Sequence, residues 1–248
     1  MSGHSKWHSI KHKKAATDSK RGRIFTRLIR EMTAAARMGG GDTDANPRLR
    51  LAIATAKAAN MPAENIKRAV MRGTGELPGI SYEDVNYEGY GPGGVAIFIH
   101  VLTDNKNRTV AEIRHILSKN GGNLGESGCV GWMFDRKSYF VVPKSAVDEE
   151  KLLEIALGSG AEDMRDDGDN FEILSAPESF DAVRSALESA EVPTTAAEIS
   201  MLPQNFVKLE GKKAQTMIKL MEALEDHEDI QNVWANFDID DAEFEQAS

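Results

Sequence analysis

The first fourteen residues, MSGHSKWHSIKHKK, gather four lysines, three histidines and one tryptophan. Lysine ammonium groups neutralise phosphates and release counterions, and a flat indole stacks on a base. Lys6, Trp7, Lys11, Lys13 and Lys14, followed by Lys20 and Arg21, are therefore expected to contact a nucleic-acid backbone. His4, His8 and His12 would share one face if the arm were helical, which is a conceivable metal geometry. With Met1 removed, Ser2-Gly3-His4 could also hold Cu(II) or Ni(II) in a square of four nitrogens. Histidines beside lysines more commonly contact phosphate or water, so no metal and no cofactor are expected.

Other chemistries fall short. GYGPGG at 89–94 comes before a strand instead of joining a strand to a helix, so it reads as a tight turn and not a dinucleotide loop; no Gly-Lys-Ser/Thr follows it either. DMRDDGDNFEIL has the glycine of a calcium loop opened at Asp163, but Arg165 and Leu174 stand where carboxylates belong, which leaves a hairpin turn at Asp167-Gly168. Cys129, His100 and His115 could supply a nucleophile and bases, yet nothing in the sequence brings them together with an orienting group, so no enzyme is expected. His100, inside VAIFIHVL, reads as a hydrogen-bonded core histidine.

These residues need elements to carry them. Ile24, Phe25, Leu28, Ile29, Met32, Ala35 and Ala36 recur at the helical period up to Gly39-Gly40-Gly41. On that helix Arg23, Arg27, Arg30 and Arg37 fall within an arc of about 80° on the opposite face, expected to point outward and extend the phosphate-binding surface. Asn46-Pro47 starts a second helix carrying Leu49, Ile53 and Ala56, and Pro62 opens a third that ends at Gly73. Lys57, Lys67, Arg68 and Arg72 add to the basic surface.

After TGELPGIS the pattern changes. VAIFIHVL reads as a buried strand, NRTVAEIRHILSKNGG as a helix opened by a Thr109 to Glu112 capping box, and CVGWMF as another strand. SYFVVP, NFEILSA, TAAEISM and IQNVWANFD continue as strands, alternating with helices at EEKLLEIALGSGA, ESFDAVRSALESA and KKAQTMIKLMEALED. The fold class is α+β: a basic three-helix domain followed by two small α/β domains. The tail DIDDAEFEQAS is expected to be disordered.

Charge runs along the chain as a gradient. Residues 1–80 hold 16 Lys and Arg against 6 Asp and Glu, residues 81–144 hold 7 of each, and residues 145–248 hold 7 against 26. A strongly basic module is thus joined to an acidic half, and the two ends are built for different surroundings. The longest apolar run, Gly94 to Leu102, is too short to cross a bilayer, and the single Cys129 excludes an internal disulfide; a cytoplasmic protein without membrane or small-molecule partners is expected.

Several long blocks together carry a resemblance: GHSKW with IKHKK, KRGRIFTRLIREM, NPRLRLAIATAKAANMP, GYGPGGVAIFIHVLTDNKNRT and GGNLGESGCVGWMF. The chain resembles the YebC/PmpR family over nearly its whole length, with His8 standing where that family has a small residue. The resemblance implies three domains: the arm and helices at 1–80, an α/β domain from 81–136 and 203–240, and a second ferredoxin-like domain inserted at 137–202, followed by an acidic tail at 241–248. It also implies a DNA-binding transcriptional regulator by family label, with mitochondrial relatives that activate translation and bacterial members linked to ribosomes and proline-rich nascent chains.

Two binding readings follow. In one the partner is duplex DNA; in the other it is ribosomal RNA and tRNA on the ribosome. A nuclease with a metal held by the acidic half would need carboxylates clustered near the basic face, whereas here they are spread over helices and turns. The gradient also suggests that the acidic half folds back on the basic arm when no partner is present.

Overall fold

The computed structural model describes residues 18–240, and side chains from residue 21 onward. Lys6, Trp7, Lys11, Lys13, Lys14, the side chain of Lys20, the three arm histidines and residues 241–248 therefore lie outside the described residues, whereas Asp238 and Ile239, at the start of the stretch expected to be disordered, belong to a strand. The chain divides into two units, one of residues 18–131 with 207–240 and one spanning Trp132–Phe206.

The first unit opens with three helices, α1 (Asp18–Gly39), α2 (Pro47–Ala58) and α3 (Ala63–Thr74). Their ends follow local chemistry. Asn46 accepts a hydrogen bond from the Leu49 backbone N–H, Pro47 fills the first helical turn, and Gly40 and Gly75 take the left-handed conformation just past α1 and α3. Met32, Ala35, Ala36, Leu49, Ala52, Ala56, Met61, Ile66 and Ala69 form one buried core. Small residues let α1 and α3 approach closely: a Cβ on Gly73 would sit 2.5 Å from the Thr33 backbone oxygen.

The same unit continues through β1 (Glu83–Tyr90), β2 (Ala96–Thr103), α4 (Lys106–Lys119) and β3 (Asn123–Leu124). Pro92–Gly94 is a short 3-10 turn in which Gly93 and Gly94 carry positive φ, so GYGPGG is a turn between two strands. The cap of α4 is Asn105, which accepts from the Arg108 N–H. Thr109 is not the cap; it lies inside the helix and is buried.

The second unit holds β4 (Phe134–Pro143), α5 (Glu149–Gly158), β5 (Ala161–Asp167), β6 (Asn170–Ser175), α6 (Phe180–Ser189) and β7 (Ala196–Pro203). Its strands are ordered β5-β6-β4-β7 and all neighbours are antiparallel, the βαββαβ arrangement of a ferredoxin-like domain. CVGWMF and SYFVVP are not two strands. Residues 131–133 form a 3-10 turn, and one strand runs from Phe134 through Pro143. Phe134 pairs with Pro203 and the Gln204 N–H donates to the Met133 carbonyl at 2.9 Å, so the limits of this unit fall outside 137 and 202. DMRDDGDN is a β5–β6 hairpin in which Asp167 pairs with Asn170 and Gly168 takes positive φ.

The chain then returns to the first unit with β8 (Val207–Leu209), α7 (Gly211–Glu225), β9 (Ile230–Ala235) and β10 (Phe237–Ile239). The sheet order there is β3-β1-β2-β9, and β8 and β10 form a parallel pair.

Candidate nucleic-acid interface

The basic helices present two populations of cations. The first faces the sheet domain of the same unit. Arg23 pairs with Asp226 at 2.6 Å, and Arg27 donates to the carbonyl of Glu225, the last residue of α7. Arg30 pairs with Asp229, donates to the Glu228 carbonyl at 2.9 Å and stacks over the Tyr82 ring. The expected outward stripe is thus corrected: Arg23, Arg27 and Arg30 dock on the C-terminal end of α7 and the turn after it. The physical reason is that helix end, whose free carbonyls and adjacent acids favour positive charge. Burial of Arg27 lowers the pKa of its guanidinium.

Asp229 is the hub of this contact. Its carboxylate accepts from Arg30, from Arg108 at 2.8 Å, from Thr109 at 2.6 Å and from Thr103 at 3.1 Å. Burial alone would raise its pKa, but the bonds from Thr109, Arg108 and Arg30 outweigh that and hold the carboxyl well below the usual range. A second tie joins α1 and α2 to the sheet. Arg48 grips Glu31 with two bonds of 2.6 and 3.0 Å and Asp84 at 2.8 Å, and Asp84 bonds His100 at 2.8 Å. His100 is therefore bonded, as expected, but is half-buried at this contact.

The second population is exposed. Arg21 and Arg37 on α1, Lys57 on α2 and Lys67 and Arg68 on α3 are open to solvent, and Arg72 is half-buried. Among the described residues, Lys57, Lys67, Arg68 and Arg72 make no ion pair within the chain. Of the expected phosphate contacts, these are the ones whose charge faces outward.

Other candidate chemistries can be placed. Ligand atoms of Glu112, His227 and Asp229 lie within 4.8 Å of one another. His227 uses Nε2 on Glu112 at 2.8 Å and accepts the Asp229 N–H at Nδ1, while the Asp229 carboxylate is held by two arginines and two threonines. Those donors are engaged and two guanidinium charges stand where a cation would sit, so the set does not fit a metal. Burial and the Glu88 charge push the Cys129 thiol pKa up, the opposite of an activated nucleophile. Glu88, unremarked in the sequence, accepts from the backbone N–H groups of Gly128, Val130 and Gly131 at 2.7 Å each. Burial would raise its pKa, but those three bonds lower it, so a carboxylate fixes the ESGCVG loop.

Residues 5–76 match the N-terminal domain of the TACO1/YebC protein, and residues 82–237 match the TACO1/YebC second and third domain. The chain belongs to the TACO1/YebC family. Similar members of the family include a probable transcriptional regulatory protein of Koribacter versatilis, 57% identical with all of both chains covered. Another, from Desulfatibacillum aliphaticivorans, is 58% identical over 97% of this chain and 98% of its own. The crystal structure of a conserved hypothetical protein from Aquifex aeolicus has a TM-score of 0.84 and 49% identity, covering 94% of this chain and 96% of that one. The Koribacter and Desulfatibacillum relatives carry the name probable transcriptional regulatory protein, and no helix among the described residues of this chain is long and apolar enough to cross a membrane.

Proposed function

We propose that this chain is a non-enzymatic, nucleic-acid-binding regulator of gene expression, acting as a DNA-binding transcriptional regulator. The observation that carries the reading is the set of exposed cations, Lys57, Lys67 and Arg68 with the half-buried Arg72 beside them, on a helical domain in which Arg23, Arg27 and Arg30 are bound internally. Lys and Arg so placed contact phosphates without reading sequence. The arm residues Lys6, Trp7, Lys11, Lys13, Lys14, Lys20 and Arg21 extend that surface in this reading. The names of the relatives favour a transcriptional target.

A second reading has its own support. The unit at 132–206 holds 16 Asp and Glu against 6 Lys and Arg, and such a body is repelled by an extended polyanion. A partner engaged by one end only, such as ribosomal RNA and tRNA within the ribosome, suits that polarity. Sedimentation of lysate through a sucrose gradient, comparing wild type with Lys67→Glu/Arg68→Glu, separates the readings. Wild type migrating with ribosomal particles after DNase, with the variant left at the top, supports translation. Wild type at the top that crosslinks to chromosomal DNA, with the variant failing to, supports transcription. Loss of neither association in the variant would remove the helices from the interface.

A further inference from the structure

Helices α4 and α7 pack against each other on one face of the β3-β1-β2-β9 sheet. A Cβ on Gly89 would sit 3.4 Å from Leu117 of α4, and one on Gly91 would sit 2.9 Å from Met217 and 3.4 Å from Leu220 of α7. Gly89 and Gly91 are two positions apart in extended chain, so both helices cover the same side. The helices run antiparallel: His227, just past the end of α7, bonds Glu112 in the first half of α4 at 2.8 Å, while Leu117 and Met217 meet the sheet at the far end.

This layer has two unlike ends. Glu225, Asp226, Glu228 and Asp229 make one end acidic, and it receives Arg23, Arg27 and Arg30 of α1. From the middle of the layer to its other end stand Arg114 and Lys119 on α4 and Lys212, Lys213 and Lys219 on α7, all exposed. Among the described residues, none of these five makes an ion pair within the chain. The neighbouring acids are taken: Glu210 pairs with Lys208 at 3.2 Å, Glu112 bonds His227, and Glu222 is likewise engaged. In the 132–206 unit, by contrast, Lys137, Lys144, Arg165 and Arg184 each have a carboxylate partner. Lys212 and Lys219 are seven positions apart, so they share one face of α7 at about 10 Å along its axis.

The surface also selects its partner. Among the described residues, the large apolar side chains that are exposed are Met38, Ile80, Trp132, Leu153, Leu157 and Phe206, and none of them is on α4 or α7. A protein interface is built around an apolar centre, whereas phosphate contacts need charge alone.

We propose that this end of the α4 and α7 layer is a second phosphate-contacting surface for nucleic acid, carried by the sheet domain and separate from the cations of α2 and α3. It rests on the nucleic-acid reading above and adds a second place where the backbone is held.

Fluorescence anisotropy of the full chain with labelled duplex DNA and with labelled structured RNA, across a salt series, tests it. Lys212→Glu/Lys219→Glu and the milder Lys212→Gln/Lys219→Gln, each checked for folding by circular dichroism, are compared with Arg136→Glu/Lys151→Glu, which reverses two exposed charges in the other unit. The α7 variants are expected to weaken binding several-fold and to reduce the logarithmic salt slope on DNA by about 2, with the control keeping the wild-type slope. Wild-type affinity and slope in the folded α7 variants overturn the proposal, and where Lys67→Glu/Arg68→Glu still weakens binding they leave the nucleic-acid reading standing. An equal loss in the control reduces the effect to net charge and overturns it too. Wild type that binds neither polymer removes the nucleic-acid reading and this surface with it. Wild type that binds poly-glutamate as tightly as either polymer overturns the proposal in favour of an acidic protein.

Discussion

Arg30 on the first helix and Asp229 before the last long strand form a buried ion pair across 199 positions of sequence, with side chains 13% and 3% exposed. This pair, with Arg23 and Arg27 beside it, fastens the basic helices to the sheet domain.

Removing one partner leaves the other charge in a poorly solvated place. Asp229→Ala strands Arg30 and unties Arg108, Thr103 and Thr109, and should cost about 3–5 kcal/mol of unfolding free energy. Arg30→Met with Asp229→Leu should lose less than the single changes added together, because no buried charge remains unpaired. Urea denaturation followed by circular dichroism reads both.

Acid should loosen the same contacts. The hydrogen bond with His100 and the charge of Arg48 hold the Asp84 carboxyl at about 2, against a usual value near 3.9. A depressed folded pKa gives stability that is fully present above the unfolded value and is lost as pH falls toward the folded one. The contribution of Asp84 is therefore expected to disappear between about pH 4 and pH 2, with that of Asp229 persisting to lower pH. Asp84→Asn should lower stability at neutral pH and flatten its decline over that window, as urea midpoints at several pH values would show.

Two glycines test the packing of α1. A Cβ on Gly73 would meet the Thr33 oxygen at 2.5 Å and the Ala36 Cβ at 2.6 Å, so Gly73→Ala should destabilise by about 1–3 kcal/mol. Gly22 has nothing within 4 Å, and Gly22→Ala should stabilise by about 0.5–1 kcal/mol. Thermal unfolding of the two variants should shift in opposite directions.

The two populations of cations should separate in binding assays. Lys67→Glu/Arg68→Glu is expected to weaken binding to all sequences alike and to reduce the logarithmic salt slope on DNA by about 2, since each phosphate contact contributes about 0.9. Arg27→Ala should leave that slope unchanged and lower stability instead, because its guanidinium serves the Glu225 carbonyl. Fluorescence anisotropy across a salt series distinguishes the two.

The helical domain was legible because its signals are local: an apolar period in α1, Asn46-Pro47 at the start of α2, and glycines just past the ends. The docking of Arg23, Arg27 and Arg30 was not, since periodicity tells which face is charged but not whether acids some 200 positions away will meet it. Strands β1 and β5 escaped for a different reason. EDVNYEGY and AEDMRDD are polar and partly exposed, so neither shows the apolar run or alternation that marks a strand. Asn105 displaced Thr109 as the cap of α4 because the hydroxyl of Thr109 goes to Asp229, a partner invisible in the local pattern.

The pairing of Phe134 with Pro203 has a consequence for how such a chain can be assembled. Antiparallel partners lie about 5 Å apart, so the 75 residues of Trp132–Phe206 begin and end within the span of an ordinary hairpin. A gene can gain or lose a segment joined in that way while the polypeptide on either side keeps its course. A short turn could close the same gap, which makes the acidic module a detachable accessory of the scaffold that carries the basic helices.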